Sequence, residues 1–205
     1  MNRSDSRYQD ARTHALAVAV TQGLFMTAIV ANLILVFGIF AGFSELEAYG
    51  PLSDGSVLVT FIIAAVTFSV WTWRVVENAR TFKPSMNATP GWAIGWYFVP
   101  VASLWKPYSY LEETWDASTG AMSRNSSMLL RWWWAIWLGS NILGTLGNQF
   151  VKVEAEGQVG MGLTMILVSL FLRLGLCLLV IRIALRLAEM QREKRSNGGA
   201  AEVFA

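Results

Sequence analysis

The sequence MGLTMILVSLFLRLGLCLLVI, residues 161–181, decides the fold, because it is an almost unbroken apolar run that contains a single charge, Arg173. A helix needs about 20 consecutive apolar residues to cross the hydrocarbon core of a bilayer. Three further runs reach or approach that length: Ala15–Phe43, Val57–Trp73 and Arg131–Phe150. The sequence therefore predicts an all-α integral membrane protein with four transmembrane helices.

The lysine and arginine residues predict the orientation of these four helices. Sixteen are present, and fourteen of them fall on one side if the four runs cross the membrane and nothing else does. Lys152 alone lies on the other side. Because basic residues accumulate in cytoplasmic loops, we expect both termini in the cytoplasm. The expected location is the inner (plasma) membrane of a bacterial cell, with a multi-pass topology.

The segment GWAIGWYFVPVASLWKP, residues 91–107, is apolar but is divided by Pro100. As a fifth span it would move the five basic residues between Arg182 and Arg195 to the outside, against the charge bias. A re-entrant or interfacial segment, which returns to the cytoplasmic side, avoids this conflict. Broken backbone is tolerated at membrane depth where protein buries it, and we expect the spans to do so here. The fifth span is the alternative.

The helix that follows this segment has an apolar face formed by Leu104, Tyr108, Leu111 and Trp115. A helix with one apolar and one charged face is typical of the membrane interface. The sequence therefore predicts an amphipathic helix at the level of the lipid headgroups.

These interpretations predict the organisation of the whole chain. Residues 1–14 form a cytoplasmic tail, residues 15–194 a membrane domain, and residues 195–205 a second cytoplasmic tail. The expected spans are 15–43, 57–80, 129–150 and 160–186, and the re-entrant or interfacial tryptophan-rich segment covers 91–117.

A stripe of small residues marks the third span. Ser140, Gly144 and Gly147 follow one another at spacings of four and three, which places them on one helical face. Small side chains allow two membrane helices to approach closely. We expect this face to pack against a neighbouring helix.

Arg173 is a candidate ligand or structural site. A central arginine costs about 2.5–3.5 kcal/mol on insertion scales, and the four apolar runs contain no Asp or Glu to pair with it. It could bind an anion or a headgroup, or it could donate to backbone carbonyls of neighbouring helices. Pro100 blocks the usual helical hydrogen bond to the carbonyl of Trp96. Carbonyl groups are thus left free near Pro100, and a guanidinium group with five N–H donors needs such acceptors. We therefore predict that Arg173 contacts the turn at Pro100.

Arg74 and Asn78 are a second candidate pair, on one face of the second helix at its cytoplasmic end. They could hold a lipid phosphate, or they could cap the loops of the broken segment. Both roles suit side chains that donate several hydrogen bonds.

The sequence contains no signature of catalysis. It has no HExxH, no GxSxG, no glycine-rich phosphate loop and no Cys/His cluster, and its single histidine and single cysteine are His14 and Cys177. We therefore expect no enzyme activity, no catalytic or metal-binding residues and no cofactor. The basic residues flank spans instead of forming a patch, so nucleic acid is not an expected partner. The expected partners are the lipid bilayer and other membrane proteins or a second copy of the chain.

The centre of the chain resembles a bacterial membrane family catalogued as domain of unknown function 4328. The residues that match are Arg74, Asn78-Ala79, Pro90-Gly91-Trp92, Gly95-Trp96, Pro100, Leu104-Trp105, Pro107, Trp115, Ala117-Ser118 and the tryptophans from Trp132. The resemblance covers roughly Ala15 to Arg186, and Ser103 stands where an asparagine is expected. It implies a multi-span membrane protein and brings no activity with it.

Two functions follow as expectations. The first is a non-enzymatic interaction or scaffold protein of the membrane. The second is a small transport unit, or a unit that binds lipid or anions, in which Arg173, Arg74 and the broken segment around Pro100 line a polar site.

Overall fold

The computed structural model describes residues 8–119, 126–152 and 158–203, and within these ranges every regular element is helical. The α-helices are α1 (Arg12–Phe40), α2 (Gly50–Phe82), α3 (Pro90–Gly95), α4 (Lys106–Thr119), α5 (Ser126–Lys152) and α6 (Gln158–Val203). Short 3-10 turns cover Ser44–Tyr49, Trp96–Phe98 and Ala102–Leu104. The prediction of an all-α fold is confirmed.

Three helices in the described ranges are long and apolar enough to cross a membrane. They are α1, the stretch Ser44–Phe82 that contains α2, and α6 as far as Asn197. The 27 residues of α5 correspond to about 40 Å at 1.5 Å per residue, but α5, which contains the polar residues Asn141 and Asn148, is not among these three helices. The fourth span therefore stays a prediction.

The chain reverses direction after α1 through a glycine. Gly42 has φ of +98°, a conformation that a residue without a Cβ adopts at little cost. Its N–H donates to the carbonyl of Ile39 at 3.0 Å, and the N–H of Phe43 donates to that of Gly38 at 3.1 Å. This hydrogen-bond pair is a Schellman motif, which satisfies the last carbonyls of the helix.

The second long helix begins earlier than the sequence indicates. We expected a loop up to residue 56, but α2 starts at Gly50, directly after the 3-10 turn. Pro51 lies in its first turn, where a missing N–H costs nothing because that N–H has no helical partner. The charged residue Asp54 therefore lies at an exposed position of a helix and not in a loop.

The fold divides into two compact units. The first consists of Met1–Val20, Ala65–Arg131 and Ile181–Ala205, and the second of Thr21–Ala64 and Trp132–Val180. One buried cluster of the first unit consists mostly of small side chains: Val76, Ala79, Met86, Ala88, Ala93 and Ala117. Large side chains of the same unit, among them Trp71, Ile183 and Leu187, are also buried. Leu111 and Trp115 of α4 are also buried, so these two members of the predicted apolar face pack on protein. Leu104 lies before the start of the helix and is exposed.

The second unit has an apolar core and a very close contact between α5 and α6. Its core residues are Phe25, Ile29, Leu33, Ala64 and Cys177. A Cβ built at Gly147 would lie 2.8 Å from the carbonyl oxygen of Gly162, and a Cβ at Gly162 would lie 2.8 Å from that of Gly147. The two backbones therefore meet where neither residue has a side chain. The predicted packing of the small-residue stripe is confirmed.

Candidate functional site

Asn78 lies at the centre of a buried hydrogen-bond network in the first unit. Its side chain is fully buried, and its Oδ1 accepts a hydrogen bond from the backbone N–H of Gln9 at 3.1 Å. Its Nδ2 donates to the backbone carbonyl of Gln9 at 2.7 Å and to Oε1 of Gln191 at 3.1 Å. One amide side chain thus satisfies both backbone polar groups of Gln9, in place of water.

Gln191 extends the network to two more partners. It is fully buried in α6, and its Nε2 donates to the backbone carbonyl of Val75 at 2.8 Å and to Oγ of Ser118 at 3.1 Å. Ser118 donates in turn to the carbonyl of Thr114 at 2.7 Å. The Asn78–Gln191 pair therefore joins α2, α4, α6 and the segment before α1. Because every amide N–H of the pair is used internally, the network stabilises the unit and leaves no donor for a ligand.

Two charged side chains hold the loop between α2 and α3. Nη1 of Arg80 donates to the carbonyls of Met86 at 3.3 Å and Ala88 at 2.9 Å. The carboxylate of Glu113 on α4 accepts the N–H groups of Asn87 at 2.8 Å and Ala88 at 2.9 Å. Hydrogen bonds with one charged partner are roughly twice as strong as neutral ones. These contacts fix the start of α3 relative to α2 and α4.

Arg74 makes no hydrogen bond to this network. Its Nη1 pairs with Oε2 of Glu77 at 3.0 Å, on the next turn of the same helix. Its Nε is buried without a hydrogen-bond partner in the described part of the chain, and the same holds for Nε1 of Trp71 and Oγ1 of Thr72. Arg74 therefore keeps donor capacity for a further acceptor, which suits either role that the sequence offers for it.

A cavity of about 10 Å³ lies between α2, α3 and α4. Its lining includes Thr72, Val76, Ala93 and Leu111. This volume is about enough for one water molecule, whereas a site for a small organic ligand measures about 300–1,000 Å³. The described residues also contain no group of three or more His, Cys, Asp or Glu that could hold a metal ion.

Pro100 lies at a sharp turn between two short 3-10 segments. The N–H of Ala102 donates to the carbonyl of Pro100 at 2.7 Å, and Val101 between them has φ of 65° and ψ of −55°. This geometry is the rare, strained form of γ-turn with positive φ. A β-branched residue with positive φ is a genuine outlier, and such strain costs about 1–3 kcal/mol.

Residues 98–105, here called the apolar tip, expose large apolar side chains. The exposed fractions are 82% for Phe98, 67% for Val101, 52% for Leu104 and 48% for Trp105. This exposure differs from our expectation that the spans bury the broken segment. The physical reason is that the backbone N–H groups of Ala102, Ser103, Leu104 and Trp105 donate to carbonyls within residues 99–102, which lowers the cost of leaving this backbone without a protein cover.

The base of the broken segment is an aromatic cluster. The rings of Trp92 and Trp96 stack with centroids 4.6 Å apart, and Tyr110 lies edge-on to Trp96 at 6.3 Å. Nζ of Lys106 lies 5.6 Å from the Trp96 ring centroid, within the range of a cation–π interaction. The cluster connects the apolar tip to α4.

The outer face of α4 is acidic. The hydroxyl of Tyr108 donates to Oε1 of Glu112 at 2.6 Å. Burial, together with the nearby charge of Glu112, raises the pKa of the Asp116 carboxyl, while Lys83 opposes this shift. Two acids this close would repel anionic headgroups, so this face is poorly suited to lie on a lipid surface.

Arg173 belongs to the second unit, where it lies beside α5. A Cβ built at Gly144 would be 3.6 Å from Nη2 of Arg173 and 3.4 Å from Oγ of Ser169. The guanidinium group of Arg173 and the hydroxyl of Ser169 thus lie directly against the backbone of α5 at Gly144. The ion pairs found among the described residues are Arg74–Glu77 and Arg186–Glu189, and neither involves Arg173. Its contact with Pro100 stays a prediction.

Sequence reasoning selected Asn78 as a site residue, named Ser118 only among the residues of the family resemblance, and missed Gln191. The signal for Gln191 was its register, because the buried residues of α6 recur at spacings of three and four. They are Cys177, Val180, Ala184, Leu187 and then Gln191. A polar side chain that continues an apolar helical face needs a buried hydrogen-bond partner.

Comparison with known proteins adds one match. Neither the curated proteins nor the solved structures give a match to this chain. The family model described as Domain of unknown function (DUF4328) matches residues 46–189. This range is most of the chain and contains Arg74, Asn78, Pro100 and Arg173. The resemblance seen in the tryptophan and proline spacing is confirmed, and the chain belongs to the DUF4328 family.

Proposed function

We propose that this protein is a non-enzymatic membrane protein with an interaction or scaffold role. The observation that supports this role is the Asn78–Gln191 network, in which the buried polar groups bind one another and join helices. An enzyme or transporter would instead aim such groups at a substrate-sized cavity. A rigid unit attached to membrane helices is suited to presenting a fixed surface to another protein or to a second copy of the chain.

The proposed topology has four spans, with α1, α2, α5 and α6 crossing the inner membrane of a bacterial cell. Both termini, the loop between α2 and α3, and α4 lie on the cytoplasmic side, and the part of residues 91–117 that precedes α4 forms the re-entrant or interfacial segment. The charge bias supports this arrangement, since fourteen of the sixteen basic residues then face the cytoplasm or its membrane boundary. The 46 residues of α6 correspond to about 69 Å, so its basic end extends beyond a core of about 30 Å.

Arg173 supports a second candidate function, the binding of an anion or a lipid phosphate. It lies half-buried beside Gly144 and Ser169, in a helix of membrane-crossing length. An arginine inside the membrane pairs with another group or faces a polar cavity. An anionic ligand would supply the charge that the described carboxylates do not.

One experiment separates the two functions. The full chain is cross-linked in bacterial membranes, purified in mild detergent and examined by mass spectrometry for bound proteins and lipids. The scaffold role predicts that a defined protein, or a second copy, is retained in constant ratio. It also predicts that Gln191→Ala reduces this retention severalfold, because the network that fixes the unit is lost, while bound lipid stays unchanged.

If the protein instead binds an anion or a lipid phosphate, the amount of bound ligand should depend on Arg173. Arg173→Gln would then release a lipid or anion, while Arg182→Gln, at an exposed position of the same helix, would not. Protein retention that is insensitive to Gln191→Ala, or no retained protein, contradicts the scaffold role.

A further inference from the structure

The apolar tip is an unusual surface for a protein to display to water. Its four large side chains, Phe98, Val101, Leu104 and Trp105, are each about half exposed or more, and they lie within eight consecutive residues. A contiguous exposed apolar patch marks an interaction site with protein or membrane.

Several backbone N–H groups of the apolar tip are hydrogen-bonded within the chain, so they do not need water as a partner. The N–H groups of Ala102, Ser103, Leu104 and Trp105 donate to carbonyls within residues 99–102, at 2.7–3.2 Å. Pro100 has no N–H to satisfy. Irregular backbone does not occur exposed to lipid in the hydrocarbon core, so the local hydrogen bonds suit a shallow insertion, at the boundary between headgroups and acyl chains.

Val101 adds an independent argument from strain. Glycine would adopt its positive φ with little strain, yet this position has a β-branched side chain that is mostly exposed. Packing within the chain therefore does little to offset the strain. An apolar environment outside the chain would stabilise the exposed side chain of Val101.

The base of the tip has the composition of a membrane boundary. Trp92 and Trp96 stack there, and Lys106 lies over Trp96. Tryptophan is enriched at the headgroup level, and a lysine at that level attracts anionic lipids. In the sequence the apolar side chains lie between Trp96 and Lys106 of this base, and the acidic residues Glu112 and Asp116 of α4 follow it.

We propose that the apolar tip inserts directly into the cytoplasmic leaflet, so that Phe98, Val101 and Leu104 contact lipid chains while Lys106 binds anionic headgroups. The inference rests on the proposed membrane topology and deepens it, because it assigns lipid, and not the neighbouring spans, as what covers the broken segment. It also gives the strained turn a role, since Val101, the strained residue, is one of the three exposed apolar residues that would meet lipid.

Spin labels can measure this insertion in the full chain. Phe98→Cys or Leu104→Cys is made in a Cys177→Ala background, labelled, and reconstituted in nanodiscs that contain anionic and zwitterionic lipid. Leu24→Cys on α1 is the lipid control and Glu193→Cys on α6 the water control, both at exposed positions. The measured quantity is the ratio of collision rates with oxygen, which dissolves in lipid, and with a water-soluble nickel chelate.

Insertion predicts that the labels at positions 98 and 104 give a ratio severalfold above that of the Glu193 control and no higher than that of the Leu24 control, which lies deeper in the membrane. A ratio like that of the water control overturns the proposal. Shielding from both reagents also overturns it, because the tip would then be covered by protein. If the Leu24 control itself gives a water-like ratio, the proposed membrane topology fails, which is a distinct result.

Discussion

The Asn78–Gln191 contact joins two neutral, fully buried amide side chains. Its contribution to the free energy of unfolding can be measured by removing each partner. Asn78→Ala leaves the polar backbone groups of Gln9 and the Oε1 of Gln191 without their partner. An unsatisfied buried polar group costs about 1–3 kcal/mol, so we expect a clear fall in the free energy of unfolding. Unfolding in detergent, followed by tryptophan fluorescence, measures it.

The double-mutant cycle with Gln191→Ala tests whether the two residues act together. Contacting residues give an interaction energy of about 0.5–3 kcal/mol. Asn197→Ala, at an exposed position, is the control and should leave stability unchanged. Additive effects of Asn78→Ala and Gln191→Ala would contradict the network.

This pair also shows what residue-level reasoning could and could not predict. The helical face of α2 identified Asn78, because Trp71, Arg74 and Asn78 recur at helical spacing. The role offered for it, a lipid phosphate or a loop cap, missed its main partner. Gln191 is 113 positions away, and no local pattern connects two residues across that distance.

At the scale of elements, the contact between α5 and α6 depends on two glycines. Gly147→Ala would place a Cβ 2.8 Å from the carbonyl oxygen of Gly162 and 2.9 Å from the side chain of Ile166. A backbone carbonyl cannot rotate away as a flexible side chain can, so the two helices must move apart. Overpacking of this kind costs about 1–3 kcal/mol. We expect that loss in unfolding experiments with Gly147→Ala.

Gly139→Ala is the matched control on the same helix, because no atom lies within 4 Å of its Cβ position. Equal tolerance of both substitutions would contradict the close approach. The stripe of Ser140, Gly144 and Gly147 was readable from its spacing alone. The identity of the opposing helix was not, because a small-residue face fits a neighbour in the same chain as well as a second copy.

The break at Pro100 shows a different limit at this scale. A proline inside an apolar run predicts interrupted helix, and the structure has a turn there. The exposure of the apolar tip was not predictable, because an apolar residue facing lipid and one buried in protein have the same sequence pattern. The local hydrogen bonds that make exposure tolerable belong to the turn geometry, which the sequence does not specify.

For the whole molecule, the decisive quantity is the side of the membrane on which each loop lies. The charge bias predicts that Glu45 lies outside and that Ser85 and Asn197 lie in the cytoplasm. All three are exposed in the structure, which makes them better labelling sites than Met86, whose side chain is buried. Cysteines introduced there, in a Cys177→Ala background, can be tested with a thiol reagent that does not cross membranes.

We expect Glu45→Cys to react in intact cells, and Ser85→Cys and Asn197→Cys to react only after the membrane is opened. This result requires an even number of spans between the start of α1 and the end of α6. A fourth segment must therefore cross beside the three helices that are apolar enough by composition, and this segment is α5 unless residues 91–107 cross in its place. The crossing of α5 would leave Lys152 as the single basic residue on the outside. Reaction of Asn197→Cys from outside would instead establish an odd number of spans. Either α5 would then stay on one side, or residues 91–107 would cross as a fifth span, and the position of the apolar tip would have to be reconsidered with them.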